Sequence, residues 1–237
     1  MSAHNVQLIW LGHSTFKLVT PKQNVILIDP WVMNNPACPG ALKKFQQLNA
    51  MLLTHGHFDH IGDAVDLGRT YAPEIVGIYE LCHWLEGKGV SKTLPMNKGG
   101  SQQVADLRVT MTHADHSCGI LDGDTILYGG EAVGYVIEFA TGLKIYHAGD
   151  TSLFGDMKLI GELYRPDVAL LPIGDLFTMS PREAAYACRF LGAKKVIPMH
   201  FGTFPPLTGT PQQLKDLTRH LPGLEVIALS PGESLNL

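Results

Sequence analysis

The stretch His55-Gly56-His57-Phe58-Asp59-His60 decides the interpretation of this 237-residue sequence. Three histidines and an aspartate within six residues bring imidazole and carboxylate groups together at a spacing typical of a metal site. A short apolar run, residues 50–54, comes directly before the cluster, and helical spacing follows it. The cluster is therefore predicted to lie between the end of a strand and the start of a helix.

The spacing within the cluster predicts two metal positions. His55 and His57 point the same way if the chain is extended there, because side chains alternate along a strand, so both imidazoles can share one metal. Asp59 and His60 follow where the chain turns, so they can face a second position. Gly56 is expected to let the backbone turn tightly between the ligands.

Two metals need more ligands than the cluster supplies, since zinc and similar ions take about four donors each. The remaining candidates stand at the ends of later predicted strands, where loops present side chains above a rigid sheet: His116, Asp150 and His200. His113 lies in the same segment as His116, and only one of the two should bind. His113 continues the strand face of Leu107, Val109 and Met111, which predicts that it points towards the core.

Many short strands with interspersed helices predict a layered α/β or α+β fold. Ser180-Pro181-Arg182-Glu183 and Thr210-Pro211-Gln212-Gln213 both have the pattern of a helix start with a capping box. We find no linker, so one domain over residues 1–237 is expected. The predicted strands are 6–11, 15–20, 24–29, 50–54, 107–112, 134–139, 143–147, 168–172, 195–199 and 225–229, and helices are predicted after His60 and over 156–164.

Composition limits the choice of function. The net charge of −4 argues against a nucleic-acid partner, although bound metals could supply positive charge for a small phosphate ester. Neither a signal peptide nor an apolar run of the roughly 20 residues that a transmembrane helix needs is recognisable. The four cysteines form no CxxC pair, which favours structural thiols in a cytoplasmic protein. Cys118 alone lies close to a candidate ligand.

The motifs resemble those of the metallo-β-lactamase superfamily over nearly the whole chain. Within it they are most similar to small prokaryotic metal-dependent hydrolases, akin to ascorbate-6-phosphate lactonases and N-acyl-phosphatidylethanolamine phospholipase D enzymes. The resemblance implies a four-layer αββα sandwich with the metals at one edge. The segments that carry the resemblance are Leu11-Gly12-His13-Ser14, Leu27-Ile28-Asp29-Pro30, Thr54-His55-Gly56-His57, Tyr146-His147-Ala148-Gly149-Asp150-Thr151, Pro172-Ile173-Gly174-Asp175 and Pro198-Met199-His200-Phe201-Gly202-Thr203.

The resemblance also implies a ligand set. Site one would be His55, His57 and His116, and site two would be Asp59, His60 and His200, with Asp150 bridging both ions. The family's loop pattern favours His116 over His113, which is then expected to support a ligand or to line the substrate pocket. An aspartate at 150, where the true β-lactamases have cysteine, disfavours antibiotic hydrolysis. A histidine at 57, where flavodiiron relatives have glutamate, disfavours a redox di-iron role.

Two divalent ions per chain are therefore expected, zinc first, with Mn²⁺, Fe²⁺ or Ni²⁺ as alternatives. A hydroxide shared by two such ions is the expected nucleophile, with Asp59 as the catalytic residue that orients it. Asp29 is expected to hold a ligand imidazole, and Asp175 to shape the substrate pocket. His13 has a weaker claim on the site, and His147 is expected in the core. His4, His83 and His220 are expected at the surface.

The sequence favours a hydrolase of ester-type bonds in a small molecule, with phosphodiester and lactone substrates both open. The alternatives are a nuclease or RNA-processing relative, a thioester hydrolase, and a metal-binding scaffold without turnover. A nuclease would need a basic face or a clamp domain, and neither is visible. A homo-oligomer is compatible with the sequence, which does not identify the substrate.

Overall fold

The computed structural model describes residues 5–237, so His4 lies outside the described residues. One of its sheets has seven strands: β1 (Gln7–Trp10), β2 (Phe16–Val19), β3 (Val25–Ile28), β4 (Ala50–Leu52), β5 (Glu74–Ile78), β6 (Thr93–Met96) and β16 (Ser234–Asn236). They lie in the order β16-β1-β2-β3-β4-β5-β6. Pairing is antiparallel from β16 to β3 and parallel from β3 to β6.

A second seven-stranded sheet repeats this arrangement. Its strands are β7 (Ser101–Val104), β8 (Leu107–His113), β11 (Val133–Phe139), β12 (Lys144–His147), β13 (Val168–Pro172), β14 (Lys195–Met199) and β15 (Glu225–Val226). They lie in the order β15-β14-β13-β12-β11-β8-β7, and β12 to β15 are parallel. A separate two-stranded hairpin consists of β9 (Gly119–Asp122) and β10 (Thr125–Tyr128).

Helices cover the outer faces of both sheets. They are α1 (Phe58–Ile61), α2 (Ala64–Tyr71), α3 (Tyr79–Gly87), α4 (Met157–Tyr164), α5 (Pro181–Leu191) and α6 (Pro211–Thr218), and a 3₁₀ turn spans Gly40–Leu42. α3 packs on β5 and β6, α5 on β13, and α6 on β15. The resulting layers are helix, sheet, sheet and helix, which confirms the predicted sandwich. No helix in the described part is long and apolar enough to cross a bilayer.

The apolar side chains of β11 show how the layers are held together. Tyr135 and Ile137 belong to the core between the two sheets, whereas Val136 belongs to the core between the second sheet and α4 and α5. All three are buried. A strand covered on both faces is apolar at nearly every position, because each side chain meets another layer.

The predicted capping boxes are confirmed. Ser180 and Thr210 each accept a hydrogen bond from the backbone N–H three residues later, and a proline opens each helix.

The segments from β5 to β6 and the β9–β10 hairpin were not predicted. β5 runs into α3 without a turn residue, and all four residues of β10 are exposed, so neither segment carries a clean alternation of apolar and polar residues.

Candidate metal centre

The candidate site lies where parallel strands end. Asp29 follows β3, His55 lies in the loop after β4, Asp150 lies in the loop after β12, and His200 directly follows β14. The carboxyl ends of these strands meet at one edge of the sandwich. Loops at such an edge bring together side chains that are far apart in the sequence.

Three histidines form the first group of candidate ligands. His55, His57 and His116 each offer a ring nitrogen, and these atoms lie within 4.8 Å of one another. His55 Nε2 is 2.9 Å from His57 Nδ1, although β4 has ended before either residue. Burial lowers the pKa of all three imidazoles, which favours the neutral form that binds metals.

A second group combines one carboxylate with three imidazoles. Ligand atoms of His13, Asp59, His60 and His200 lie within 4.8 Å of one another. Asp59 Oδ2 is 3.0 Å from His13 Nε2 and 4.0 Å from His200 Nε2. Burial raises the pKa of Asp59, but the hydrogen bond from His13 and the nearby His60 outweigh it and hold that pKa below its usual value. Asp59 is therefore an ionised carboxylate aimed into the cluster.

Asp150 lies between the two groups. Its Oδ2 atom is close to a ring nitrogen of two histidines from each group, at 2.9 Å from His200, 3.2 Å from His60, 3.9 Å from His116 and 4.0 Å from His55. The side chain is almost completely buried. One carboxylate oxygen therefore faces imidazole nitrogens of both groups.

The cluster fits divalent metal ions. Buried polar atoms normally have hydrogen-bond partners, yet His60 Nε2 is buried without one of acceptable geometry, even with Asp150 at 3.2 Å. Imidazole nitrogens with a few carboxylate oxygens are donors that zinc, manganese, iron and nickel accept. A bound ion would give His60 Nε2 its missing partner.

Asp29 holds the far side of His60. Its Oδ2 atom is 2.7 Å from His60 Nδ1 and accepts the Thr54 hydroxyl, while Oδ1 accepts the Thr54 N–H at 2.8 Å. A carboxylate accepts only, so His60 Nδ1 carries a proton, and the neutral form of this imidazole would offer its Nε2 lone pair to a metal. This is how ligand histidines are usually oriented.

Gly56 serves a different purpose from the one predicted. It does not use a positive φ. Instead, a Cβ atom there would lie 2.6 Å from Ile120 Cγ1, so glycine is needed for the close approach of the β9–β10 hairpin. Cys118 supports the same loop, because its sulfur accepts the Gly56 N–H at 3.3 Å and donates to Gly129 O. Burial raises its pKa to about 11, and it belongs to neither ligand group.

His13 is a site residue whose role sequence reasoning underestimated. It is fully buried, contacts Asp59 through Nε2 and Thr203 Oγ1 through Nδ1, and burial lowers its pKa to about 4. Its carbonyl accepts the His200 N–H at 3.1 Å. Gly12 and His13 both have positive φ, so the tight turn between β1 and β2 aims this side chain at the second group.

The prediction that His113 points to the core is wrong. His113 is exposed at the end of β8, where its Nδ1 lies 3.0 Å from Lys98 Nζ and its ring edge contacts Phe154. Alternation sets burial only where another layer covers the strand, and His113 lies at the strand's last position. It belongs to neither ligand group and does not line the cavity at the cluster, whereas His116 belongs to the first group and lines that cavity.

Asp175 and His147 both have local roles. Asp175 is exposed, and its carboxylate accepts the Leu176 N–H at 2.8 Å, so it stabilises its own loop and does not reach the cluster. His147 is completely buried, with Nε2 3.2 Å from Ser14 O and Nδ1 accepting the Gly149 N–H. The predicted core position of His147 is confirmed.

The family model of the beta-lactamase superfamily domain matches residues 24–201. The chain is also 54% identical over 234 residues to a UPF0173 metal-dependent hydrolase of Koribacter versatilis, covering 99% of both chains. A UPF0173 metal-dependent hydrolase of Solibacter usitatus is 56% identical over 228 residues, which cover 96% of this chain and 98% of the relative.

Among solved structures, the chain is similar to Igni18, a metallo hydrolase from the hyperthermophilic archaeon Ignicoccus hospitalis. The TM-score is 0.86 at 36% identity, and the match covers 97% of each chain. The two-sheet sandwich and its histidine and aspartate cluster thus define a metal-dependent hydrolase of the metallo-β-lactamase superfamily. Within that superfamily the chain belongs to the UPF0173 metal-dependent hydrolases.

Proposed function

We propose that the chain is a dinuclear hydrolase that cleaves an ester-type bond, a lactone or a phosphodiester, in a small molecule. The observation that carries this proposal is the position of Asp150 Oδ2, which faces His55 and His116 on one side and His60 and His200 on the other. A site for a single ion needs no carboxylate shared between two sets of imidazoles.

The residues divide into two sets of three plus the bridge. His55, His57 and His116 would hold one ion, and Asp59, His60 and His200 the other. The donors favour zinc, with manganese, iron and nickel as alternatives. Ions bound there would polarise the scissile bond and lower the pKa of water toward ~7.

Neighbouring side chains orient the candidate ligands. Asp59 is held by the His13 imidazole, so its carboxylate keeps one direction and can accept a hydrogen bond that orients the attacking water. Asp29 fixes the tautomer of His60, and Ser14 Oγ lies 3.4 Å from the second oxygen of Asp150. These contacts preorganise the site before substrate binds, which reduces the reorganisation needed for reaction.

The test is an activity screen with bis-p-nitrophenyl phosphate, simple lactones and thioesters, run beside elemental analysis of the same preparation. We expect hydrolysis of a diester or a lactone that a chelator abolishes and that zinc or manganese restores. Turnover of thioesters alone would instead indicate a thioester hydrolase. Full metal loading without turnover of any substrate would favour a scaffold.

A further inference from the structure

A large cavity opens directly above the metal cluster. Its volume is about 850 Å³, within the range of small-molecule sites. Cluster residues form its floor, and most of the remaining wall is apolar: Phe58, Leu121, Ile126, Phe177, Phe204, Pro205 and Pro206. The reacting group of a bound substrate would therefore contact the polar cluster residues, and the rest of the substrate would contact apolar side chains.

One wall is the β9–β10 hairpin. Leu121 and Ile126 are cross-strand partners on one face of the hairpin, and both line the cavity. They are 61% and 76% exposed. Contiguous apolar side chains exposed to water at the mouth of a site mark a surface that a ligand covers.

Contacts with the rest of the protein fix the position of the hairpin. Ile120, on its other face, is buried against the loop at Gly56. The Asp122 carboxylate accepts hydrogen bonds from Nε1 of Trp84 in α3 at 3.0 Å and from Nζ of Lys88, the residue after α3, at 2.8 Å. The exposure of Leu121 and Ile126 therefore belongs to a wall held in place from two sides.

A second part of the wall is aromatic. The rings of Trp31 and Phe204 stack at 5.7 Å, and Phe58 meets Trp31 edge-on at 6.0 Å. Phe58 and Phe177 are both 58% exposed, so their rings present bare carbon to the cavity. The two walls together can enclose an alkyl chain or a ring.

The charged residues of the cavity wall limit which substrates can bind. The described residues that line the cavity include no lysine and no arginine, and the ionisable ones all belong to the metal cluster. A phosphate or carboxylate held away from the metals would lose its hydration without gaining a cation. The part of the substrate that does not react must then be uncharged.

We propose that the substrates are neutral esters or lactones that carry an apolar chain or ring, and that the Leu121–Ile126 wall sets their selectivity. This inference rests on the proposed hydrolase function. It disfavours sugar phosphates and other substrates with a phosphate remote from the bond that breaks.

The test compares p-nitrophenyl acetate, butyrate and hexanoate on the zinc-loaded enzyme, each normalised to its alkaline hydrolysis rate. We expect kcat/KM to rise with chain length, up to about fourfold for each fully buried methylene. Ile126→Glu should remove most of this rise in kcat/KM with chain length, whereas Tyr128→Glu should keep it. Tyr128→Glu is the matched control, because Tyr128 lies on the same strand, is 73% exposed and does not line the cavity.

A binding experiment separates this inference from the hydrolase proposal. Calorimetric titration with 1-octanol and 1-propanol should show tighter binding of octanol by at least tenfold, and Ile126→Glu should abolish the difference. Metal-dependent turnover without chain-length dependence would overturn the inference and leave the hydrolase proposal intact. Octanol binding that Ile126→Glu abolishes, in a protein without turnover, would overturn the hydrolase proposal and support the apolar ligand class.

Discussion

Replacing Asp29 with asparagine is the sharpest test of how the second metal position is built. The substitution keeps the shape of the side chain and changes one acceptor into a donor. Asp29 is fully buried and accepts from Thr54 N–H, the Thr54 hydroxyl and His60 Nδ1, so the new NH₂ group has no harmless orientation.

Each orientation of the amide has its own cost. If the carbonyl oxygen faces His60, the NH₂ group opposes the Thr54 N–H, and a buried donor without an acceptor costs about 1–3 kcal/mol. If the NH₂ group faces His60, the imidazole must accept through Nδ1 and carry its proton on Nε2, which blocks metal binding there. We therefore expect the second ion to bind about 10- to 100-fold more weakly.

The assay is competition with a chromophoric chelator, together with denaturant unfolding of the metal-free protein. Asp63→Asn is the matched control, because Asp63 is also buried but its carboxylate accepts only the backbone N–H groups of Val32 and Met33. The control should leave metal affinity within about twofold of wild type. Equal affinities for the second ion in Asp29→Asn and wild type would refute the orienting role of Asp29.

Three further outcomes are expected. Elemental analysis of protein purified without chelator should find up to two divalent ions per chain, and a limit of one ion after reconstitution with excess metal would contradict the dinuclear site. Asp59→Ala should reduce turnover at least about 100-fold and weaken binding of the second ion. His83→Ala, at an exposed histidine, should do neither. Near-normal turnover in Asp59→Ala would refute the catalytic role of Asp59. His116→Ala should empty the first position while His113→Ala keeps its metal, and the reverse pattern of metal content would exchange their roles.

Much of the candidate site could be predicted from the sequence, because its signals are local. The segment from His55 to His60 packs four candidate ligands into one turn of loop and helix, and Asp150 and His200 each follow an apolar strand. The strand pattern predicted only a layered α/β or α+β fold, and the four-layer sandwich was implied by the resemblance of the motifs to the metallo-β-lactamase superfamily. Where local rules were incomplete, as at the fully exposed β10, the element was missed.

Only the tertiary structure decided how distant segments meet. His13 reaches Asp59 across 46 positions of sequence, and the hairpin approaches Gly56 because of packing that no local pattern records. His113 is exposed although strand alternation predicts burial, since burial depends on whether another layer covers that point of the strand. The sequence alone determined the types of the candidate ligands and the strand ends that carry them, because both depend on local spacing. The distances from Asp150 Oδ2 to four imidazoles and the apolar wall beside them arise from long-range packing, so they became visible only in the folded chain.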